Sequence, residues 1–423
     1  MQTQRIHRRA HRVTTGFFLV IATFAFLVTT LNWWRTVSQG GFDSNQSGDW
    51  LINYSGGFVR RGLFGEILEL LVPETISIVV VLGALQIILL GGLFLVVSLL
   101  YLRTDRSPAW LMLCLSPAVL LFPSVNIEAA FRKELISLVL LGVLALGAKR
   151  GLGTARLTFA VAVYSLAMFS HEASFVVLPG ILFLIHCFYP HGALVPKRIW
   201  YGLFIGISLI GLFASVWRAG SESQAQAICE SWSARGISEC SQGALKSLTM
   251  TTQESISFLY SNYMPQYLLY LAVLALALIP LLLVRFLPSY WRISLVALLF
   301  LLPMFLIAWD YGRWIYIALT QLSFLALALS TRHQLKKPVK VPLLVALAFV
   351  LLWGFAWYET VWREGFALQV LQQLAGDVPL SGVFSFFYSG SCSDHAVMSS
   401  GVFTCPSFGF FFVINRVMEA SLK

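Results

Sequence analysis

Hydropathy along this chain alternates between long apolar runs and short breaks rich in charge or turn residues. The runs fall at 15–34, 76–102, 108–124, 134–148, 157–170, 173–189, 199–217, 264–284, 293–309, 314–330 and 341–357. About 20 apolar residues wound as a helix cover the hydrocarbon core of a bilayer, so the pattern predicts an all-α, polytopic transmembrane helical bundle of about 11 spans. The runs 134–148 and 157–170 fall short of a straight crossing and imply tilting, extension into their flanks or re-entrant geometry. The first run lies between a basic stretch, Arg5 to Arg12, and the interfacial pair Trp33 and Trp34. It superficially matches a secretory signal, but no small-residue cleavage site follows, and it reads as a retained helix.

Three longer polar segments interrupt the runs, at 35–75, 218–263 and 358–423. In the first, Phe64, Ile67, Leu68 and Leu71 share one helical face while Glu66 and Glu69 turn away, which predicts a helix lying along the membrane interface. No repeat, low-complexity tract or soluble domain stands out, so residues 1–423 read as a single helical membrane domain.

Composition agrees with the pattern: 58% of residues are hydrophobic and 11% charged, against roughly a quarter charged in a soluble domain. With the amino terminus in the cytoplasm, the inner loops collect Arg5, Arg8, Arg9, Arg12, Lys149, Arg150, Lys336 and Lys337, and Asp105 is their one acid. This positive-inside bias sets an orientation with the three long segments outside. The net charge of +10 is then a matter of topology. Nucleic-acid binding would need a contiguous basic soluble face, which the chain lacks. Cys229 with Cys240, and Cys392 with Cys405, share outer segments and read as disulfides of an oxidising compartment such as a periplasm, whereas Cys114 and Cys187 lie within helices. No phosphate-cradling glycine motif, CxxC or Cys/His metal spacing occurs, and no residue is assigned to a metal.

Candidate chemistry gathers in four places. The first outer segment carries Asp43, Asp49 and the adjacent Arg60 and Arg61; two arginines there run against the charge bias and suit phosphate or carboxylate, or else snorkel to lipid and pair with Glu66. The turn between the third and fourth spans carries Glu128, Arg132, Lys133 and Glu134. Charges in so apolar a setting mark a functional site, though Glu128 and Arg132 also stand i, i+4 as a plain helix pair. His171 and Glu172 sit at a hairpin tip, with the chemistry for proton transfer, for holding a divalent ion or for a purely structural hydrogen bond. Asp310 and Arg313 lie among Trp309, Tyr311 and Trp314, either pairing with each other or gripping an anionic headgroup. All four fall on one side of the membrane. Carboxylates and cations at one interface suit a substrate with a lipid tail, a phosphate at headgroup level and a hydroxyl acceptor from water.

These residues resemble the GT-C class of membrane glycosyltransferases, which use polyprenyl-phosphate-linked sugars. The stretch from Asp43 or Asp49 through Gly57 to Leu71 looks like that class's first outer loop with its essential acid; Asp49 is the better match because it precedes Trp50, Leu51 and Ile52. Glu128 to Glu134 looks like the second outer loop, and Ser170, His171 and Glu172 resemble the next turn. The likeness spans about the first 190 residues and rests on layout and acid placement. The chain also resembles the polymerases of O-antigen and capsule polysaccharide, whose paired-arginine loop is not clearly reproduced. What both resemblances imply is catalysis by Asp49, Asp43, Glu128 and Glu172, with Arg60, Arg61, Arg132, Lys133, His171, Asp310 and Arg313 binding a lipid-linked sugar at the outer face of a bacterial inner membrane. A secondary transporter or flippase would instead show ionisable residues at mid-membrane in broken helices. A non-catalytic assembly factor would show apolar contact surface, for which the Phe-rich tail, Phe384 to Tyr388 and Phe408 to Phe412, is the candidate. Nothing in the sequence fixes an oligomeric state.

Overall fold

A computed structural model describes residues 2–38, 45–190, 192–217, 220–233, 235–237, 243–262, 266–308, 310–357 and 361–375. Two compact units make up the chain, Met1–Phe366 and Ala367–Lys423. The described part of the second is the helical stretch that ends at Ala375. Asp43, Trp309, Cys240, Cys392, Cys405 and the Phe-rich tail lie outside the described residues. Cys229 is disulfide-bonded, and Cys114 and Cys187 are free thiols.

The first unit is all-α apart from one small hairpin, and it is built on membrane helices. Among the described residues four helices are long and apolar enough to cross a bilayer, His11–Arg35, Ile78–Tyr101, Lys197–Val216 and Tyr311–Ser330. At 1.5 Å per residue their 20 to 25 residues reach about 30 Å or more, the thickness of the hydrocarbon core. Shorter apolar helices, Thr154–Ser170, Glu172–Phe188, Tyr267–Leu283 and Trp291–Ile307, fill in around them. The Glu134–Gly147 helix is the hub, packing against Ile78–Tyr101, Tyr311–Ser330 and Thr154–Ser170. Tyr311–Ser330 is enclosed along its length. Lys197–Trp217, by contrast, leaves Leu209, Ile210, Phe213 and Val216 exposed, as expected of a helix whose outer face meets lipid.

Three of the expected spans are not continuous helices, and one of them, 293–309, divides into Trp291–Leu299 and Leu302–Ile307. Residues 108–124 form a helix only over Pro108–Cys114, followed by turns and the short helices Phe122–Val125 and Ile127–Ala130. Pro117 explains the break: it has no N–H to donate and disfavours helical geometry at Ser116, whose side chain instead accepts from the Ala118 N–H. Residues 341–357 form the helix Leu343–Leu351 and then turn into the strand Trp353–Phe355, antiparallel to Trp362–Glu364, with Phe355 opposite Trp362. Hydropathy cannot distinguish that strand from a helix end, because the whole stretch is apolar.

The interfacial helix expected in the first polar segment forms at Leu63–Leu71. Its Phe64 and Leu68 are buried while Leu70 and Leu71 stay exposed. The buried face does not simply rest on lipid. It joins Trp50, Leu51, Ile52 and Val59 in a core shared with Ile228, Trp232, Ile237, Leu245 and Leu248 of the 218–263 segment. Trp232 Nε1 donates to Leu51 O at 2.8 Å, and Arg235 donates to Val72 O and Glu69 O. The first and second polar segments thus fold together as one cap.

The hairpin is held against the start of the buried helix at Gly312. Its N–H donates to Trp357 O at 3.2 Å, and a Cβ there would stand 2.0 Å from the Ala356 carbonyl oxygen. Gly312→Ala is therefore expected to cost about 1–3 kcal/mol through forced backbone displacement. It should lower the melting temperature of the purified protein in detergent. Gly16→Ala, within the helix Gln2–Ser38 where a Cβ meets nothing within 4 Å, should not lower it.

Candidate functional site

Four separate turns converge on one buried cluster of charge. The short helix Asn45–Leu51 delivers Asp49, and its neighbours fix its position. Trp50 Nε1 donates to Phe131 O at 2.6 Å, Gln46 Nε2 to Ile127 O at 2.8 Å, and Gln86 Nε2 to both Gln46 O and Phe131 O at 3.0 Å. These bonds fasten the helix to the 126–134 turn and bring Asp49 beside Arg132 and Lys133.

Arg61 is the centre of the cluster. Its Nε donates to both carboxylate oxygens of Glu172, at 3.0 and 2.8 Å, and Nη2 also donates to Glu172 Oε1. Its Nη1 lies 3.7 Å from Asp49 Oδ1. Arg61 adopts a left-handed backbone with φ of 67°, a strained geometry for a residue with a side chain, and one that persists where surrounding contacts over-determine it. The alternative pairing of Arg60 and Arg61 with Glu66 does not form among the described residues: Glu66 Oε2 accepts from the Tyr54 N–H at 2.9 Å.

His171 closes the other side of Asp49. Its Nδ1 accepts from the Ala173 N–H at 3.1 Å, so the neutral ring carries its proton on Nε2, which lies 3.9 Å from Asp49 Oδ2. Burial, with Arg61 adding to it, pushes the imidazole down to about 3 and keeps it neutral. Burial alone would raise the Asp49 carboxyl, but the charges of Lys133, Arg61 and Arg132 bring it well below its ordinary value, so Asp49 is ionised. Both of its oxygens are buried and neither has a hydrogen-bond partner among the described residues. An ionised, fully buried carboxylate in that state has both oxygens open to a hydroxyl hydrogen bond.

Lys133 is fully buried, and its Nζ donates to Arg61 O at 2.9 Å and Ser170 O at 3.1 Å. Burial lowers it to about 8, against the pull of Asp49, and it stays protonated at neutral pH. Arg60 Nη2 donates to Ser247 O at 2.8 Å, while its Nε has no partner. Among the described residues neither Lys133 nor Arg60 forms an ion pair with a carboxylate. Two cations are thus held at the cluster with only carbonyl oxygens for partners.

Asp310 and Arg313 complete the group. Arg313 Nη2 lies 2.9 Å from Asp310 Oδ2 and its Nε 3.3 Å from Glu134 Oε1, with the guanidinium over the Trp314 ring at 4.4 Å. Arg132 reaches Asp310 at 4.0 Å and lies over Trp357 at 5.7 Å. Glu128 stands apart from this network. It is exposed and forms no ion pair with Arg132 among the described residues; its Oε2 instead accepts from Trp357 Nε1 at 3.2 Å. The structure therefore brings Asp49, Glu172, Arg60, Arg61, Arg132, Lys133, His171, Asp310 and Arg313 into one region, with Glu128 at its rim.

Sequence reasoning placed Glu134 and Asn126 in the charged turn without giving either a role, and it passed over Trp357. Glu134 is a full member, since it faces Arg313. Asn126 bridges to the hairpin, donating to Phe355 O at 2.9 Å and accepting from the Trp357 N–H at 3.1 Å. Trp357 carries Glu128 and faces Arg132. Glu134 and Asn126 were visible as polar residues in an apolar setting, whereas nothing local marks Trp357. No group of three or more His, Cys, Asp or Glu spaced to hold a metal ion occurs among the described residues. His171 and Glu172 do not extend into a metal set, because Glu172 is committed to Arg61.

Removing one partner of the Arg61–Glu172 pair leaves a buried charge uncompensated, at a cost of about 3–5 kcal/mol. Arg61→Met should lower the melting temperature sharply. Combining it with Glu172→Gln should recover part of the loss, and a strictly additive double variant would show that the two side chains do not support each other.

Among curated proteins and solved structures, none matches this chain. A family model described as uncharacterised membrane protein Rv1490 matches residues 7–263, a stretch that includes Asp49, both arginines of the first segment, the 126–134 turn and the His171–Glu172 turn. It covers more than half of the chain, and the protein belongs to that family of membrane proteins.

Proposed function

We propose that the protein transfers a glycosyl group from a polyprenyl-phosphate- or polyprenyl-pyrophosphate-linked sugar, at the outer face of a bacterial inner membrane, in cell-envelope polysaccharide or glycolipid assembly. The observation that carries this reading is an ionised Asp49 whose oxygens have no hydrogen-bond partner, in one region with Lys133 and Arg60, which donate to carbonyl oxygens and pair with no carboxylate among the described residues. A donor with a phosphate and an acceptor with a hydroxyl would satisfy both. In this scheme the acceptor oxygen attacks the anomeric carbon while its proton passes to Asp49. The bond from that carbon to the phosphate oxygen breaks, and the lipid (pyro)phosphate leaves with its charge met by Lys133 and Arg60. Glu172 holds Arg61, and neutral His171 faces Asp49. Arg132, Asp310 and Arg313 line the same region, where a sugar's hydroxyls need donors and acceptors.

The full topology, about 11 crossings with the amino terminus inside, belongs to the same proposal. It rests on the basic residues of the short loops and places the cluster at the outer boundary. Asp49, His171 and Lys133 are buried, and burial strengthens the charge interactions among Asp49 and the cations around it.

Purified protein in lipid should turn over polyprenyl-linked sugars. Asp49→Asn should lower kcat about 10²–10⁴-fold, the usual range for losing a general base, and Arg60→Ala should chiefly raise KM. Activity indifferent to both substitutions would reject this site. Solute uptake into sealed vesicles without glycan product would replace the reading with transport.

The charge balance also sets a pH dependence. In the free protein the cations hold Asp49 well below its ordinary value. A bound phosphate cancels part of their field, so the Asp49 carboxyl must rise in the complex. The acid limb of kcat, which reports the complex, should therefore lie at higher pH than that of kcat/KM, which reports the free enzyme. Coincident limbs would argue against Asp49 as the base.

A further inference from the structure

The helix Glu134–Gly147 starts in the charged turn, and its 14 residues carry it about 20 Å toward the other face of the membrane. A helix ends with carbonyl oxygens that have no partner within it. Here arginines from three other elements supply the partners. Arg103, just beyond the helix Ile78–Tyr101, donates from Nη1 to Leu146 O at 2.8 Å. Arg332, beyond Tyr311–Ser330, donates from Nη2 to Ala148 O at 2.8 Å and lies over the Phe188 ring at 4.9 Å. Arg156, in the first turn of Thr154–Ser170, donates from Nη1 to Gly147 O at 3.4 Å and to Gly151 O. Lys149 and Arg150 follow the helix directly. All five are exposed, and among the described residues none pairs with a carboxylate. Asp105, the acid closest to Arg103 along the chain, accepts from the Ser107 N–H at 3.0 Å instead.

A preference for basic residues in short loops accounts for the sign of the charge here. It does not account for guanidinium groups from three loops turning onto one helix end. The helix dipole supplies only about half a negative charge there, so the five cations leave a large positive surplus. Each arginine spends one nitrogen on the carbonyls, which holds its planar fork in place and leaves the other N–H groups for a ligand. We infer that this helix end binds the headgroup of an anionic phospholipid, whose phosphate is gripped by the anchored arginines together with Lys149 and Arg150. The cations sit where membrane helices end, at the level of headgroups, and a basic recess between such ends suits phosphate. This site lies at the far end of the helix from Asp49 and Arg60 and does not depend on the transferase reading. A lipid held there steadies the helix that carries Glu134 into the cluster.

Ligand-induced stabilisation of the full-length protein in neutral detergent tests this. Dioleoylphosphatidylglycerol should raise the melting temperature saturably, whereas dioleoylphosphatidylcholine and glycerol 3-phosphate should not. Lys149→Gln combined with Arg150→Gln should weaken the response at least fivefold. Both side chains are exposed, so the variant should fold, and Arg150→Gln alone takes its place should it not. Lys149→Arg with Arg150→Lys, which keeps the charge, should keep the response. Removing the same charge from the exposed Arg198 and Arg292, as Arg198→Gln with Arg292→Gln, should leave it as in wild type, and so should Arg60→Ala. No saturable shift, or an equal one with phosphatidylcholine, would overturn the proposal. An equal shift with glycerol 3-phosphate would assign the site to a free phosphate. A wild-type response in the Lys149→Gln and Arg150→Gln variant would refute the location, as would its loss in Arg60→Ala, which would move the lipid to the cluster. Equal weakening in the Arg198→Gln and Arg292→Gln variant would replace the site with diffuse attraction.

Discussion

Charge withdrawn from water must be answered by charge, and in this protein the demand falls on Arg61. Its guanidinium holds Glu172 from both Nε and Nη2 and faces Asp49, while its own carbonyl receives Lys133. Moving an ion out of water costs several kcal/mol even after relaxation. The cluster is stable only because each member lowers the cost of its neighbours. A left-handed arginine is tolerated on the same account, since the backbone distortion places both ends of the residue where buried partners need them.

Much of this was legible in the chain and some was not, for separable reasons. Charges stranded among apolar residues announce themselves, which is why Arg61, Lys133, His171, Glu172 and Arg313 stood out. Helix positions were legible too: the run at 76–102 is the helix Ile78–Tyr101, and the run at 157–170 is part of Thr154–Ser170. What hydropathy cannot carry is backbone geometry, so Pro117 and the glycine-containing hairpin at 353–364 broke two expected spans. Nor can it carry partners. Glu128 and Arg132, four apart, invite a local pair, yet Glu128 goes to Trp357 and Arg61 finds Glu172 111 residues away. The protonation of His171 and the unsatisfied state of Asp49 are properties of enclosure and exist only after folding.

The cap shows how an amphipathic element can be read correctly and still be misplaced. Phe64 and Leu68 do lie on one face of a short helix, and the natural inference is that lipid covers it. Instead Trp232, Leu245 and Leu248 cover it, contributed by a segment that hydropathy treats as mere connection. Two polar-looking stretches supply each other with the apolar core that neither has alone. The arrangement also brings Ser247 O within reach of Arg60, so the same contact that builds the cap orients a cation of the site.

Asn126 spans the longest distance in the chain of those that shape the cluster. Its amide reaches Phe355 and Trp357, 229 and 231 residues onward, and the hairpin it grips also positions Trp357 against Arg132 and Glu128. Chains are made from the amino terminus, and contacts of such separation form late. For most of synthesis, then, the early helices stand in the bilayer with Arg132 and Glu134 awaiting groups the ribosome has yet to deliver. Arg313 and the hairpin arrive late, so a nascent chain interrupted before them holds Glu134 without the arginine that answers it.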